Sequence, residues 1–551
     1  MTWRTWLLPT LLLPVLVLPA VLAGDTKKPK FTITWKKIVL DRTFRSEGVG
    51  VADVNKDGKL DVVIGDCWYE APKDPAGQWK RHILRADRQF DLLQYSDSFC
   101  CFLDDFNGDG YPDVIVIPFP GNPCYWYENP GPKGGMWKAH LLTNSACNET
   151  PIYIDLFKTG KKYLVMAWNP PRDEKDLKKG NYDDRGEMCY FVPGKDPTQP
   201  WQRVSISGPS EKGNPIPATA RFSHGLGHGD VNGDGRIDIL CPQGWWEQPE
   251  KPDGKPWKFH PARITDACAD MYTLDIDGDG KADIISSSAH NYGFWWSRQQ
   301  TANSFIQRPL FPTPFEAATL PKAHNLSTEE LAWLTTINKA RVELGLAPWK
   351  MNPILNAEAR QHAEVTGAKV FDVSGAKAYA ALGGRIVHVA DGNGAFDPSA
   401  SAKDFLKSLE KKHLAPNLEV GVGVKRLAKD KARYVLLLGD RKLFSLPSQT
   451  HALHCVDIDG DGLKDLVTGR RWWAHGPRGD AGPNDPAYLY WFQAKRGKDG
   501  LVTFTPHLID DDSGVGTSFV VADINGDGLP DIVVSNKKGT HVFQQIRTPV
   551  K

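Results

Sequence analysis

The sequence predicts a mostly β chain: a seven-bladed β-propeller interrupted by an inserted α+β domain. Three observations predict it. An acidic loop recurs along the chain, an aromatic strand series recurs in step with it, and the last unit lacks a strand that stands alone at the N-terminus.

The acidic loop reads Asp-x-[Asp/Asn]-x-Asp-Gly-x-x-Asp, enters from an apolar stretch and leaves into Val, Ile or Leu. Its oxygen-bearing residues in the first three full copies are Asp53, Asn55, Asp57, Asp61; Asp105, Asn107, Asp109, Asp113; and Asp230, Asn232, Asp234, Asp238. The other three copies carry Asp275, Asp277, Asp279, Asp283; Asp457, Asp459, Asp461, Asp465; and Asp523, Asn525, Asp527, Asp531. A decayed copy, Asp155 to Gly160, keeps the flanking strand pattern but has lost its later acids, so no metal is expected there.

The aromatic series follows most of the loops. Trp68-Tyr-Glu-Ala-Pro72, Trp126-Tyr-Glu-Asn-Pro130 and Trp245-Trp-Glu-Gln-Pro249 read as strands ending in a proline turn, with Trp295-Trp296 and Trp472-Trp473 as sister copies. A strand of the form Trp-x-x-His comes next, at Trp79, Trp137 and Trp257, with weaker forms at Trp201, Phe305 and Phe504. Four strands at a repeat of about 45 to 75 residues make a propeller blade. Seven loops and seven closing strands balance only if Trp35 to Leu40 closes the last blade, which ends at Phe543 without one. A closed ring leaves no sheet edge open.

Oxygen ligands at loop positions 1, 3, 5 and 9, with a carbonyl at 7 and Gly at 6, are hard-cation chemistry suited to Ca²⁺. Strands flank the loops and position 9 is Asp, so an EF-hand is excluded. About six structural Ca²⁺ sites are expected, each relieving repulsion among clustered carboxylates and adding to folding stability. The loop and its spacing resemble the FG-GAP/VCBS repeats of integrin α-subunits and exported bacterial proteins, over roughly residues 31 to 310 and 445 to 548.

The gap from Asp283 to Asp457 holds a passenger. Blades one to five are assigned to residues 24–310, the insert to 322–442 and blades six and seven to 445–551. Within the insert Ser327-Thr-Glu-Glu330 reads as a capping box ahead of helical spacing through Leu344. Further helices are predicted from Asn352 through His362 and over Lys403 to Lys412, with paired strands at Glu419 to Val424 and Tyr434 to Leu438. The segments Ile337 to Trp349, Asn352 to Ala363 and Glu419 to Val424 are similar to the CAP (SCP-like) superfamily. That resemblance implies a His/Glu metal pocket, but Asp372-Val-Ser-Gly375 departs from the family pattern, and His362 and His413 read first as packing residues.

Residues 1–23 carry Arg4, an apolar run from Leu7 and Val21-Leu-Ala23, the pattern of a secretory signal peptide. The chain is therefore expected outside the cytoplasm, secreted, periplasmic or at the cell surface, with no membrane span. Nine cysteines without a C-x-x-C pair exclude a zinc ribbon, and the odd number leaves at least one thiol without an intrachain partner.

No Ser/His/Asp, phosphate-loop or dinucleotide pattern is present, and Gly225 to Gly229 precedes an acidic loop rather than a helix. Propeller ligands bind where the innermost strands begin. The residues there are Glu47, Asp97, Glu149, His224, Asp270, His451 and Thr517, with Arg45 and Arg221 beside them and His228 and His454 further along. His224, His451, Asp97 and Asp270 are the candidates for acid–base chemistry. The stretch His451 to Gly462 and the Trp-rich blades also resemble propeller enzymes of the aldos-2-ulose dehydratase type, which implies elimination on a sugar.

Formal charge is +1, but twenty acids sit in the metal loops, so the remainder is strongly basic. Ca²⁺ loading would make an anionic polysaccharide an apt ligand. The basic residues form no nucleic-acid module. Two function classes follow: a calcium-binding recognition protein for carbohydrate or an extracellular protein, or a sugar lyase or dehydratase. A third reading treats the propeller as a rigid scaffold displaying the insert.

Overall fold

A computed structural model describes residues 31–74, 77–171, 185–211, 213–310, 328–343, 350–351, 359, 384–395, 419–428, 431–441, 447–483, 485–497 and 502–550. The signal-peptide segment, Ser327, His362, Lys403 to Lys412 and His413 lie outside them.

The protein is mostly β, its sheets arranged as in a propeller. Each four-stranded antiparallel sheet follows chain order from its innermost strand outward. The first holds Gly50–Ala52, Asp61–Val63, Cys67–Glu70 and Lys80–Ile83; the second Cys100–Asp104, Asp113–Ile117, Cys124–Glu128 and Lys138–Thr143. The third holds Ile152–Ile154, Tyr163–Trp168, Glu187–Val192 and Gln202–Ser205. A further sheet holds Leu453–Val456, Asp465–Gly469, Leu489–Arg496 and Val502–Asp510. In the last, Val520–Ala522, Asp531–Asn536 and Gly539–Pro549 are completed by the N-terminal strand Phe31–Asp41. That strand runs antiparallel to Gly539–Pro549, with Trp35 opposite Gln545 and Ile38 opposite Val542.

Residues 226–309 form one eight-stranded sheet, because the inner strands Leu226–Gly229 and Asp270–Leu274 pair in parallel, Leu226 opposite Asp270. Inner strands crowd wherever sheets meet. A Cβ on Gly48 would stand 2.3 Å from the Phe99 carbonyl oxygen, and one on Gly516 1.8 Å from that of Glu47. Only glycine permits these two seams.

The aromatic series has a physical reason. The third-strand Trp lies opposite the fourth-strand His and stacks on it: Trp68 on His82 at 4.2 Å, Trp126 on His140 at 4.4 Å, Trp245 on His260 at 4.1 Å. The His Nε2 meets a third-strand glutamate at 2.7 Å, Glu70, Glu128 and Glu247 respectively. Such stacked pairs add about 0.5–1.5 kcal/mol beyond burial. At three seams the start of the fourth strand also clasps the preceding blade: the amides of Trp137, Trp201 and Trp257 donate to the carbonyls of Leu84, Leu142 and Ile206.

One expectation needs correction. Trp472 and Trp473 do not belong to a third strand but stack on each other, 4.1 Å apart, within a turn. Trp491 takes the strand position and stacks on His507 at 4.3 Å. Between Gly469 and Leu489 the chain makes a long excursion, and the spacing of the aromatic series shifts with it.

The insert is described in part. Helix α1 (Thr328–Glu343) is the one long helix among the described residues, and strands Lys350–Met351, Glu419–Ala428, Lys431–Arg441 and Gly384–Ala395 make a sheet in that order. Glu419–Ala428 and Lys431–Arg441 are antiparallel, with Val424 opposite Tyr434. No described helix is long and apolar enough to cross a membrane. All nine cysteines are free, eight of them buried.

Candidate functional site

Two sets of polar residues stand at opposite ends of the sheets. Strand alternation dictates this: loops between first and second strands lie at one end, while entries to first strands and loops between second and third strands lie at the other.

At the first end are the acidic loops, which share one geometry. In the loop at residues 457–465, Asp457 Oδ1 accepts the amides of Gly460 and Asp461 at 2.7 and 3.1 Å, and Oδ2 accepts Gly462 at 2.9 Å. Asp459 and Asp461 accept Asp461 and Leu463 amides. Asp105, Asp230 and Asp523 repeat the pattern. Carboxylate oxygens of Asp275, Asp277 and Asp279, and of Asp457, Asp459 and Asp465, lie within 4.8 Å of one another. These side chains turn their oxygens inward, a donor set that fits a hard cation. Asp155 keeps the turn alone, accepting the amides of Thr159 and Gly160 at 2.9 and 2.6 Å.

The position-9 aspartates are fully buried. Asp61, Asp113, Asp238, Asp465 and Asp531 each accept the position-2 amide on one oxygen and, on the other, an amide in the third strand or just past its end. Asp283 accepts Gln299 N and Trp296 Nε1. Burial, opposed by those amides and reinforced by neighbouring carboxylates, pushes Asp61, Asp113, Asp238 and Asp465 up to about 7. The next side chain often bridges blades: Asn129 donates to the Val54 carbonyl at 3.0 Å, Gln248 to Leu156 at 2.8 Å, Gln299 to Val231 at 2.9 Å and Gln545 to Ile458 at 3.1 Å.

At the other end a charged cluster closes over the channel. Arg471 is buried and donates through Nε and Nη2 to Glu47 Oε1, at 3.2 and 2.5 Å, and through Nη1 to Glu149 Oε2 at 3.0 Å. Glu47 also accepts the Ser96 amide and hydroxyl, at 3.1 and 3.2 Å. Burial alone would raise Glu149, but the His224 ring and the Arg471 guanidinium outweigh it and hold Glu149 down at about 2.

Beside Glu149 stand three imidazoles. His224 Nε2 is 3.4 Å and His451 Nε2 3.8 Å from Glu149 Oε2. Ring centroids are 4.9 Å apart for His224–His290, 5.3 Å for His224–His451 and 5.4 Å for His290–His451. Burial, with the nearby cation and rings, drives His451 far below the ordinary imidazole range, so it is neutral. Asp480 receives His475 Nδ1 at 2.8 Å and lies 3.2 Å from His290 Nδ1; against the effect of burial, the two rings hold its carboxyl below the usual range. Lys537 donates to the Trp473 carbonyl at 2.8 Å and sits 5.3 Å over the Tyr95 ring; burial lowers its ammonium to about 8.

Of the residues expected at this mouth, Glu47, Glu149, His224 and His451 come together, with Thr517 hydrogen-bonded through its amide to the Glu47 carbonyl at 2.8 Å. Asp97 is drawn to the rim by Arg85 and Arg88, at 2.7 and 2.5 Å. Arg45 serves Asp41, Asp66 and Asp87, and Arg221 the Pro170 carbonyl. Asp270, His228 and His454 line a cavity of 240 Å³ further down the channel. There Asp270 accepts the Leu453 amide at 3.0 Å, and burial raises it to about 7.

Arg471, His475, Asp480, His290, Tyr95 and Lys537 were not expected. All but Tyr95 come from loops between second and third strands, which return to the same mouth. The signal available was the long spacing around Arg470-Arg471-Trp472-Trp473, which marks an excursion rather than a strand.

Residues 457–534 match the FG-GAP-like repeat family. No curated protein matches this chain. Among solved structures it is similar to an Agrocybe aegerita lectin described as recognising non-reducing terminal N-acetylglucosamine: 16% identity over 52% of this chain and 69% of that one, TM-score 0.31. It is also similar to the Photorhabdus luminescens Tc holotoxin pore, with 17% identity over 51% of this chain and 13% of that one, TM-score 0.25. A third is a GH43 β-xylosidase/α-arabinofuranosidase from a compost microbial metagenome, in complex with xylotriose, with 10% identity over 51% and 81%, TM-score 0.18. Sheets and repeat together define the class: a β-propeller carrying FG-GAP-like repeats.

Proposed function

We propose that this chain is an exported, calcium-binding propeller of seven blades that recognises a carbohydrate at the channel mouth. The eight-stranded sheet counts as two blades joined at their inner strands, and the five four-stranded sheets supply the rest. Ca²⁺ belongs to the six acidic loops as a structural ion. The observation that carries the recognition reading is the buried Arg471–Glu47–Glu149 group ringed by histidines. Rigid donors and acceptors in a water-poor mouth suit a polyhydroxylated ligand, and the stacked Trp472–Trp473 pair beside them offers apolar ring faces. The insert, similar to CAP domains in sequence, is then a passenger on this scaffold.

A glycan array probed with and without EDTA tests this. Binding lost in Arg471→Met but kept in a rim variant, Arg88→Ala, supports the mouth as the site. Absence of any glycan binding overturns it.

One observation favours a second reading, a sugar lyase or dehydratase. His451 is neutral, the state in which an imidazole accepts a proton, and stands 3.8 Å from the Glu149 carboxylate. Ultraviolet enone absorbance appearing with candidate sugars, and lost in His224→Ala or His451→Ala, would replace recognition with catalysis.

A further inference from the structure

The histidines at the mouth carry more than a polar lining. Both ring nitrogens of His451 are buried without a hydrogen-bond partner, while His224 Nε2 and His290 Nδ1 stand against carboxylates, Glu149 at 3.4 Å and Asp480 at 3.2 Å. His451 is 0% exposed. An imidazole that gives up water on both nitrogens and gains no partner loses free energy for nothing that the fold repays. His451 and two further rings, from three separate blades and with one nitrogen each within 4.8 Å of the others, are placed as ligands are placed.

We propose that His224, His290 and His451 bind a divalent transition-metal ion of the Zn²⁺ class, at the end of the channel opposite the acidic loops. Zinc takes neutral imidazole at about 2.0–2.1 Å, so tetrahedral geometry sets the nitrogens about 3.4 Å apart. The three ring nitrogens, within 4.8 Å of one another, have to draw inward by about an ångström to meet that geometry. Local charge favours a cation: three carboxylates, Glu47, Glu149 and Asp480, gather here, with Arg471 shared by the first two, Lys537 near Glu47, and imidazoles against Asp480. Glu149, 3.4 and 3.8 Å from two of the rings, is placed to orient them or to fill the fourth position. Asp480, 3.2 Å from His290, is a positioning residue of the kind that fixes a ligand's tautomer. The donor set separates this ion from those in the loops, since nitrogen ligands select transition metals and carboxylates select Ca²⁺.

The test uses chelator-stripped full-length protein reloaded with saturating Ca²⁺ and titrated with Co²⁺. One Co²⁺ per chain, with the visible ligand-field bands of a nitrogen-ligated tetrahedral ion and displacement by Zn²⁺, is the expected result. His451→Ala and His290→Ala lower Co²⁺ affinity at least about 100-fold, and Asp480→Asn about 10-fold. His228→Ala, in the channel but outside the cluster, leaves it unchanged. The His290 side chain is 39% exposed, so His290→Ala keeps the fold and remains informative if His451→Ala does not. No Co²⁺ binding beside Ca²⁺, binding retained in both variants, or loss confined to His475→Ala would each overturn the assignment. The readout involves no glycan, so it stands or falls separately from the recognition reading.

Discussion

Replacing Arg471 with methionine keeps the volume of the stem and removes the charge that two buried carboxylates share. Three hydrogen bonds vanish, two to Glu47 and one to Glu149. Glu47 retains the Ser96 amide and hydroxyl, whereas Glu149 is left with the ring of His224 nearby and no guanidinium. Breaking a buried ion pair from one side costs about 3–5 kcal/mol, because the remaining charge is stranded. With an unfolding entropy of about 2.1 cal/mol/K per residue, a cooperative unit of this size loses about 3–4 °C in Tm. Differential scanning calorimetry with Ca²⁺ in excess reads it. Adding Glu149→Gln should restore part of the loss, with a coupling of about 1.5–3 kcal/mol for a hydrogen bond between charged groups. An Arg471→Met protein that melts within 1 °C of wild type (about 1 kcal/mol), or a double variant whose losses simply add, refutes the shared-charge account.

Other perturbations probe different parts. Lys537 has a folded value of about 8 against an ordinary 10.5, so the unfolded chain binds more protons between those limits and stability rises with pH across that window. Facing Glu47, Arg471, Asp91 and Tyr95, its charged form costs up to about 3 kcal/mol below pH 8; Lys537→Met should erase the slope in pH-dependent urea melts. Ca²⁺ removal should lower Tm, and readdition should raise it with ion concentration, by about 4 kcal/mol per site at a thousandfold excess over Kd; an EDTA-insensitive melt would deny the loops their ion. Gln545→Leu loses donors to the Ile458 and Pro530 carbonyls, at 3.1 and 3.3 Å, and should cost about 1–2 kcal/mol in denaturant melts. Deleting residues 24–42 strips the strand from Gly539–Pro549 and should expose it to proteolysis; an unchanged melting temperature would deny that strand a role in closure.

How much of this was legible in the sequence depends on whether a residue repeats. The acidic loops and the Trp–His series recur because every blade solves the same problem, so their strands could be placed from spacing alone. Glu47, Glu149, His224 and His451 were reachable because they stand a fixed distance before a recognisable loop. Asp97 fell outside the cluster because two arginines at the rim, Arg85 and Arg88, compete for it, a contact that no repeat encodes. Arg471, His475 and Asp480 lie in an excursion unique to one blade. Trp472-Trp473 imitated the aromatic series there, and only the pairing of Trp491 with His507 shows where the strand resumes.

The same strand alternation that builds the blades also sorts their chemistry. First-to-second-strand loops are short, repeated and rich in carboxylates, and they are tied to the sheet by position-9 aspartates and to the neighbouring blade by Asn129, Gln248, Gln299 and Gln545. An ion ordering such a loop would therefore also order a position-2 carbonyl that the next blade grips, so the proposed cation binding at one end would stiffen the seams between blades. Those seams hold the opposite mouth in register, where Glu47, Glu149, His224, His290, His451 and Arg471 arrive from four sheets and no two from the same turn. A cluster assembled across so many seams tolerates little relative movement, since a shift of one ångström separates Arg471 from a carboxylate it now meets at 3.0 Å. The repeated end is thus the structural half of the molecule, and the unrepeated end is where sequence was free to specialise.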